Sequence, residues 1–188
     1  MYVAVDVHYA SDDTHARVAG VLFRDPVSHV VDDECMVVVG PPKPYVPGQF
    51  YQREMPCILD LMKHITASID AVFIDGYVDL GARAGLGRHL YWALRGEIVV
   101  IGVAKRFFKA STALEVKRGQ SERPLFVTAV GLDVHLAANM VKDMHGPFRI
   151  PTLLKRADSL VRGRSRDTSD AVLKHHTDEG QRPSRLDH

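Results

Sequence analysis

Tyr2-Val3-Ala4-Val5-Asp6-Val7-His8-Tyr9 is the stretch around which the rest of the chain is arranged. Valine and tyrosine dominate it, residue types whose branched or flat side chains pack well on a pleated surface, so it reads as a β-strand. Asp6 in its middle is an energetic problem. An ionised carboxylate buried without a partner costs several kcal/mol or takes up a proton. Taken alone, Asp6 is most simply a residue at the strand's open end that caps a neighbouring N–H. A second and third acid in comparable settings would change that reading.

The composition bounds what the strand can belong to. With 188 residues and 46% hydrophobic content, the chain suits one domain with a sizeable core. No apolar run approaches the roughly 20 residues that cross a bilayer, and no basic-then-apolar segment resembles a signal peptide. A soluble, cytoplasmic protein is expected. Cys35 and Cys57 lie in apolar contexts without metal-type spacing and read as small buried hydrophobes in a reducing compartment. The net charge of +1 decides nothing about nucleic acid, where local clustering of Lys and Arg matters. His8 reads as a strand neighbour of Asp6 rather than a ligand, and His175-His176 lacks companions.

Outward from the first strand, Arg17 to Phe23 and Met36 to Val39 continue an antiparallel meander, separated by turn-forming segments. The proline-rich Gly40 to Gly48 stretch then ends the sheet in a stiff exposed loop. From Arg53 the apolar period lengthens to three and four residues, through Met55, Ile58, Leu59, Met62 and Ile65, which predicts a helix ending near Ser68. Ala71-Val72-Phe73-Ile74 reads as a buried parallel strand that ends at Asp75-Gly76, and Ile98 to Val103 as another that ends near Lys105. His89 to Leu94 reads as helix, Pro124 to Val130 as strand, and Leu132 to Met144 and Pro151 to Val161 as helices. The domain is expected over 1–162, with a charged tail over 163–188 containing Ala171-Val172-Leu173.

Asp75 and Lys105 should face one crevice, because sites in open α/β sheets form at the carboxyl ends of strands. Glu54 opens a helix and Asp158 lies on the last one; alone, each is explained by the helix dipole or by pairing with Arg156 or Arg162. Together with Asp6 they supply several carboxylates and one lysine, the set that handles phosphate through a divalent metal. A shared cation requires the carboxylates of Asp6, Glu54 and Asp75 to converge. Nucleophilic serine, cysteine–histidine and glycine-rich phosphate-loop patterns are absent. Arg83, Arg88, Lys117, Arg118 and Arg123 read as solvated loop charges or a phosphate-binding face.

Five segments in order, Ala4 to Tyr9, Pro44-Tyr45-Val46-Pro47-Gly48, Arg53-Glu54-Met55-Pro56, Ile74-Asp75-Gly76 and Gly102-Val103-Ala104-Lys105, resemble the motifs of endonuclease V, the deoxyinosine 3′ endonuclease family. The resemblance implies a ribonuclease H-like α/β fold, a five-stranded mixed sheet flanked by helices. It implies Asp6, Glu54 and Asp75 as ligands of Mg2+, for which Mn2+ substitutes, with Lys105 and Asp158 also in the catalytic group. It implies a DNA-repair endonuclease cutting 3′ to deoxyinosine, with inosine-containing DNA, or in some relatives RNA, as partner. Pro44, Tyr45, Val46, Pro47 and Gly48 correspond to a wedge that holds the strands apart, and Gly76 to part of the base pocket. The alternative is a nucleic-acid-binding relative with lost or altered cleavage.

That alternative rests on departures from the family pattern. The family's glycine- and histidine-containing segment is here Tyr77-Val78-Asp79-Leu80-Gly81-Ala82, where Asp79 either replaces a lost polar group or caps the following helix. Arg106 stands where a serine is usual. The family's helix ahead of the first strand has no counterpart in this sequence, so its surface is expected to be open, covered by the tail or buried by a second subunit in a homo-oligomer.

Overall fold

The computed structural model describes residues 1–109 and 111–163; the tail expected beyond Gly163, including Ala171-Val172-Leu173 and His175-His176, lies outside the described residues. In order the elements are β1 (Tyr2–Tyr9), β2 (Ala16–Phe23), β3 (Asp33–Val39), α1 (Tyr51–Lys63), β4 (Ala71–Ile74), β5 (Asp79–Leu80), β6 (Arg83–Ala84), α2 (Leu86–Ala93), β7 (Val99–Ala104), β8 (Leu114–Val116), β9 (Leu125–Val130), α3 (Val134–Asp143) and α4 (Thr152–Val161). No helix among the described residues is long and apolar enough to cross a membrane.

The main sheet has seven strands in the order β3-β2-β1-β4-β7-β9-β8. β1, β4 and β7 run parallel, and the meander β1-β2-β3 is antiparallel as expected. This is the mixed α/β arrangement of the ribonuclease H-like fold, with two strands more than the expected five. β9 returns antiparallel to β7, and β8, three residues long, adds an edge too short to leave a periodic signal. The register places the site: Val5 pairs with Ile74 and Ile74 with Gly102, so Asp6 and Asp75 lie level, one step beyond the same row.

Two apolar layers cover the sheet. On one face Cys57, Ile58 and Leu61 of α1 and Leu90 of α2 pack against Val3, Val5 and Val72. On the other, Ala137 and Val141 of α3 and Leu153 and Ala157 of α4 pack against Ala4, Phe73, Ile101 and Val103. Fully burying a side chain such as Leu61 or Leu153 contributes about 2 kcal/mol each. Gly20 on β2 is small for a reason: a Cβ there would come within 3.0 Å of both Leu61 and the Cys35 sulfur. Cys35 and Cys57 are both free thiols, half-buried and buried respectively.

Arg118 departs from the expected solvated loop charge. It is 5% exposed and donates to the backbone carbonyls of Lys142 (3.2 Å), Phe148 (3.0 Å), Gly146 (3.3 Å) and Arg149 (3.4 Å), and to that of Met144. The end of α3 and the loop leading to α4 thus fold around one guanidinium, whose charge the helix's exposed C-terminal carbonyls favour. Arg118→Ala leaves buried carbonyls without donors and should cost roughly 3 kcal/mol, lowering Tm by about 6–12 °C. Arg118→Lys, which cannot reproduce the fork, should recover less than half of that loss in a thermal melt. An unchanged Tm in Arg118→Ala would refute the role.

Candidate active site

Asp6 and Asp75 both project toward the α4 face at the open end of the sheet, where they line a cavity of about 80 Å3 with Lys105 and Asp158. Asp6 is two residues beyond Ala4 and Asp75 two beyond Phe73, both packed under α4, and the period of two carries the carboxylates to the same side. Burial pushes the Asp6 carboxyl up to about 6, and the charges of Asp75 and Asp158 push the same way, against Lys105.

Glu54 arrives from the other face, on the first turn of α1. It is buried, and its carboxylate accepts no hydrogen bond and forms no ion pair among the described residues. Burial, then the charges of Asp6 and Asp75, raise it to about 8. Its neighbour Arg53 fixes the helix start, donating to Asp13 at 2.5 Å and lying 4.0 Å over the Tyr9 ring. The β1–β2 turn and the end of β1 are therefore tied to the helix that carries Glu54.

These residues fit a hard divalent cation in donor chemistry: three oxygen donors, mutually repelling, one of them buried and unpartnered. As placed, however, no three His, Cys, Asp or Glu side chains among the described residues come together closely enough to hold an ion. Asp75 is engaged by Lys105 at 2.6 Å, and Glu54 approaches from the opposite face.

Asp158 behaves differently. Burial would raise its carboxyl, but hydrogen bonds from Lys155 at 2.5 Å and Arg162 at 2.7 Å outweigh it and hold the group at about 2. Of the two arginines expected as partners, only Arg162 pairs with it; Arg156 donates to Glu34 on β3 at 2.6 and 2.8 Å, locking α4 to the sheet edge.

The loop of Pro44, Tyr45, Val46, Pro47 and Gly48 is exposed, as its composition predicted. Val46 to Gln49 closes a turn through a 2.9 Å bond from Gln49 N–H to the Val46 carbonyl, with Gly48 at φ 76°. Proline second and a positive-φ glycine third is the type II arrangement. The turn leads straight into α1, the helix that carries Glu54.

A second cavity, of about 300 Å3, opens beside Asp75 and Gly76. Phe50, Tyr51, Tyr77 and Phe108 wall it with flat rings. Tyr51 is backed by His89, stacked at 3.6 Å between ring centres. The Tyr77 hydroxyl donates to the Arg106 carbonyl at 2.5 Å, tying the loop after β4 to the loop after β7.

The altered segment takes a form that the sequence did not predict. Asp79 neither caps α2 nor enters the cavity: it forms a paired contact with Arg88 at 2.6 and 3.0 Å from a small β5–β6 hairpin. No cap is needed, because the Val78 carbonyl accepts from Gly85 and Arg88 N–H and the Tyr77 carbonyl from Gly87 N–H. Sequence reading also passed over Thr128 and the packing role of Gly102. Buried Thr128 accepts from Val78 N–H at 2.9 Å. A Cβ on Gly102 would lie 2.5 Å from the Gly76 carbonyl oxygen, so only glycine lets this loop cross β7. The glycine inside an otherwise apolar strand was the available signal.

Comparison with known proteins gives the family and the fold of the chain. The family model of endonuclease V matches residues 1–132. An endonuclease V from Streptomyces avermitilis is 32% identical over 182 residues, covering 84% of this chain and 77% of that protein. One from Trichormus variabilis is 28% identical over 187 residues, covering 87% and 83%. The crystal structure of the Streptomyces avermitilis protein superposes with a TM-score of 0.72 at 28% identity, covering 86% of this chain and 79% of that one. A Ciona intestinalis endonuclease V, in complex with a 24mer DNA containing an inosine followed by a ribo-adenosine, gives a TM-score of 0.72 at 20% identity, covering 86% and 84%. The chain belongs to the endonuclease V family.

Proposed function

We propose that this protein is a metal-dependent endonuclease that hydrolyses a phosphodiester 3′ to deoxyinosine in DNA, a repair activity. The observation that carries the reading is the pair of acids Asp6 and Glu54 at the sheet's open end, each pushed up by burial and by the nearby charge of Asp75. These residues would hold Mg2+ or Mn2+, which when bound supplies Lewis acidity toward a phosphate oxygen and an attacking water. Lys105, set between Asp75 and solvent, reaches a phosphate on the cut strand and stabilises charge developing there. Asp158, held ionised by Lys155 and Arg162, keeps negative charge on the rim near Asp6.

Recognition falls to the aromatic cavity. A base turned out of its stack is held between flat walls and read by backbone groups around Gly76. The Pro44 to Gly48 loop, stiff and close to the cavity mouth through Gly48 and Phe50, fills the space that the base leaves. The alternative, a relative that binds nucleic acid without cutting it, draws on the engagement of Asp75 by Lys105 and on the replaced 77–82 segment.

A labelled duplex with one deoxyinosine, incubated with Mg2+, separates the two. The endonuclease reading expects a nick on the inosine strand, lost to background in Asp75→Ala and reduced about a hundredfold or more in Lys105→Ala. Tight binding with no cut under Mg2+ or Mn2+ would favour the alternative.

The carboxyl shifts predict a pH dependence with a definite sign. Glu54 titrates near 4.5 ordinarily and about 8 when folded, so the folded state retains a proton that the unfolded chain gives up, and stability falls as pH rises through that window. In EDTA, Glu54→Gln should melt on the order of 5 °C above the native protein near pH 8 and match it near pH ~4. Adding Mg2+ near pH ~8 should raise the native Tm and leave Glu54→Gln nearly unmoved. A native Tm that does not decline across this range would contradict the buried acid.

Tyr77→Phe tests the recognition half. Losing the tie to Arg106 should weaken capture of the inosine strand roughly 2–10-fold in KM while single-turnover cleavage at saturation changes little. An equal loss in both quantities would place Tyr77 in the chemistry instead.

A further inference from the structure

The segment Lys105-Arg106-Phe107-Phe108-Lys109, directly after β7, sets two phenylalanines between cations, and all five residues are exposed. The two phenylalanines have different surroundings. Phe108 walls the 300 Å3 cavity and sits 6.1 Å from the Tyr77 ring. Phe107 lies outside it, 63% exposed, with its ring 5.5 Å from Phe126 at an interplanar angle of 53°.

Three contacts anchor this loop: the Tyr77 hydroxyl on the Arg106 carbonyl, Arg149 on the Lys105 carbonyl, and Ser111 N–H on the Phe108 carbonyl. A flat ring held outward in this way loses little freedom on binding a second flat group. Arg106 and Lys109 form no ion pair among the described residues, so both charges are available to a polyanion. Flat apolar rings flanked by unpaired cations match a single strand of nucleic acid, whose bases stack while its phosphates are neutralised. In a duplex the base faces are already covered.

We propose that Phe107, with Arg106 and Lys109 beside it, is a second nucleotide-binding station outside the cavity, stacking an unpaired base of the strand that passes Lys105. It rests on the nucleic-acid reading above and adds a preference for unpaired flanking nucleotides. The competing explanation is that Phe107 only shields Phe126, which is 7% exposed.

The test uses the full chain in EDTA, with a fluorescent inosine-free oligothymidine of roughly 12 nucleotides and a matching duplex. Phe107→Leu keeps an apolar cover over Phe126 but removes the flat face; Phe107→Trp keeps the face. Single-strand affinity should fall about tenfold in Phe107→Leu and stay near native in Phe107→Trp, with duplex affinity little changed in either. Arg106→Ala and Lys109→Ala should each reduce the salt slope for the single strand by about 0.7. Equal affinities of the Leu and Trp variants, or equal losses on single strand and duplex, would overturn the station and leave the endonuclease reading intact. Failure of the native protein to bind any nucleic acid, with or without inosine, would overturn both.

Discussion

Removing carboxylates from water is the constraint on which the rest of this site depends. Asp6 and Glu54 are held where burial alone pushes both toward the neutral form, and the charge of Asp75 pushes both further. A fold selected for stability alone would place a hydrophobe on β1 and a hydrogen-bonded acid, if any, on α1. Asp158 shows the ordinary solution to the same difficulty, two cations within hydrogen-bond distance. Glu54, by contrast with an acid satisfied by Lys155 and Arg162, has no donor among the described residues.

That difficulty accounts for much of the surrounding architecture. Asp6 and Asp75 can be level only because β1 and β4 are parallel neighbours in register. Glu54 can reach the same end only because α1 starts at the sheet's edge, and its start is fixed by Arg53 on Asp13 and Tyr9. On the opposite face the Arg156–Glu34 pair holds α4 against the outer strand, and Arg118 shapes the loop that brings α4 into position. The Arg156–Glu34 ion pair is half-buried on both sides, and it lies beside the site rather than within it.

Legibility in the sequence divides between residues that signal through chemistry and residues that signal through packing. The strands bearing Asp6 and Asp75, the α1 stripe and the stiff loop ahead of it were legible because their patterns are local. The antiparallel return of β9 was not, since Leu125 to Val130 is as apolar as a parallel strand, and only its pairing with β7 distinguishes the two. Asp79 was misread for a related reason. It stands ahead of a helix, where acids commonly cap, but the carbonyls of Tyr77 and Val78 already take that helix's first N–H groups, which frees Asp79 for Arg88. Arg118 gave no signal at all, because a buried arginine that serves backbone carbonyls has the sequence appearance of a loop charge.

Asp75 lines both the small acidic cavity and the larger aromatic one, and Lys105, one residue past β7, pairs with it at 2.6 Å. Departures from the family pattern begin two residues later, at Tyr77, and the substituted stretch is folded back on itself as β5–β6 and clamped by Asp79 on Arg88. Thr128 and Gly102 hold the connecting backbone at Val78 and Gly76, whatever residues occupy the hairpin beyond them. Changes between 79 and 84 therefore act on the wall of the aromatic cavity formed by Leu80 and Ala84 and leave the level of Asp75 to β4.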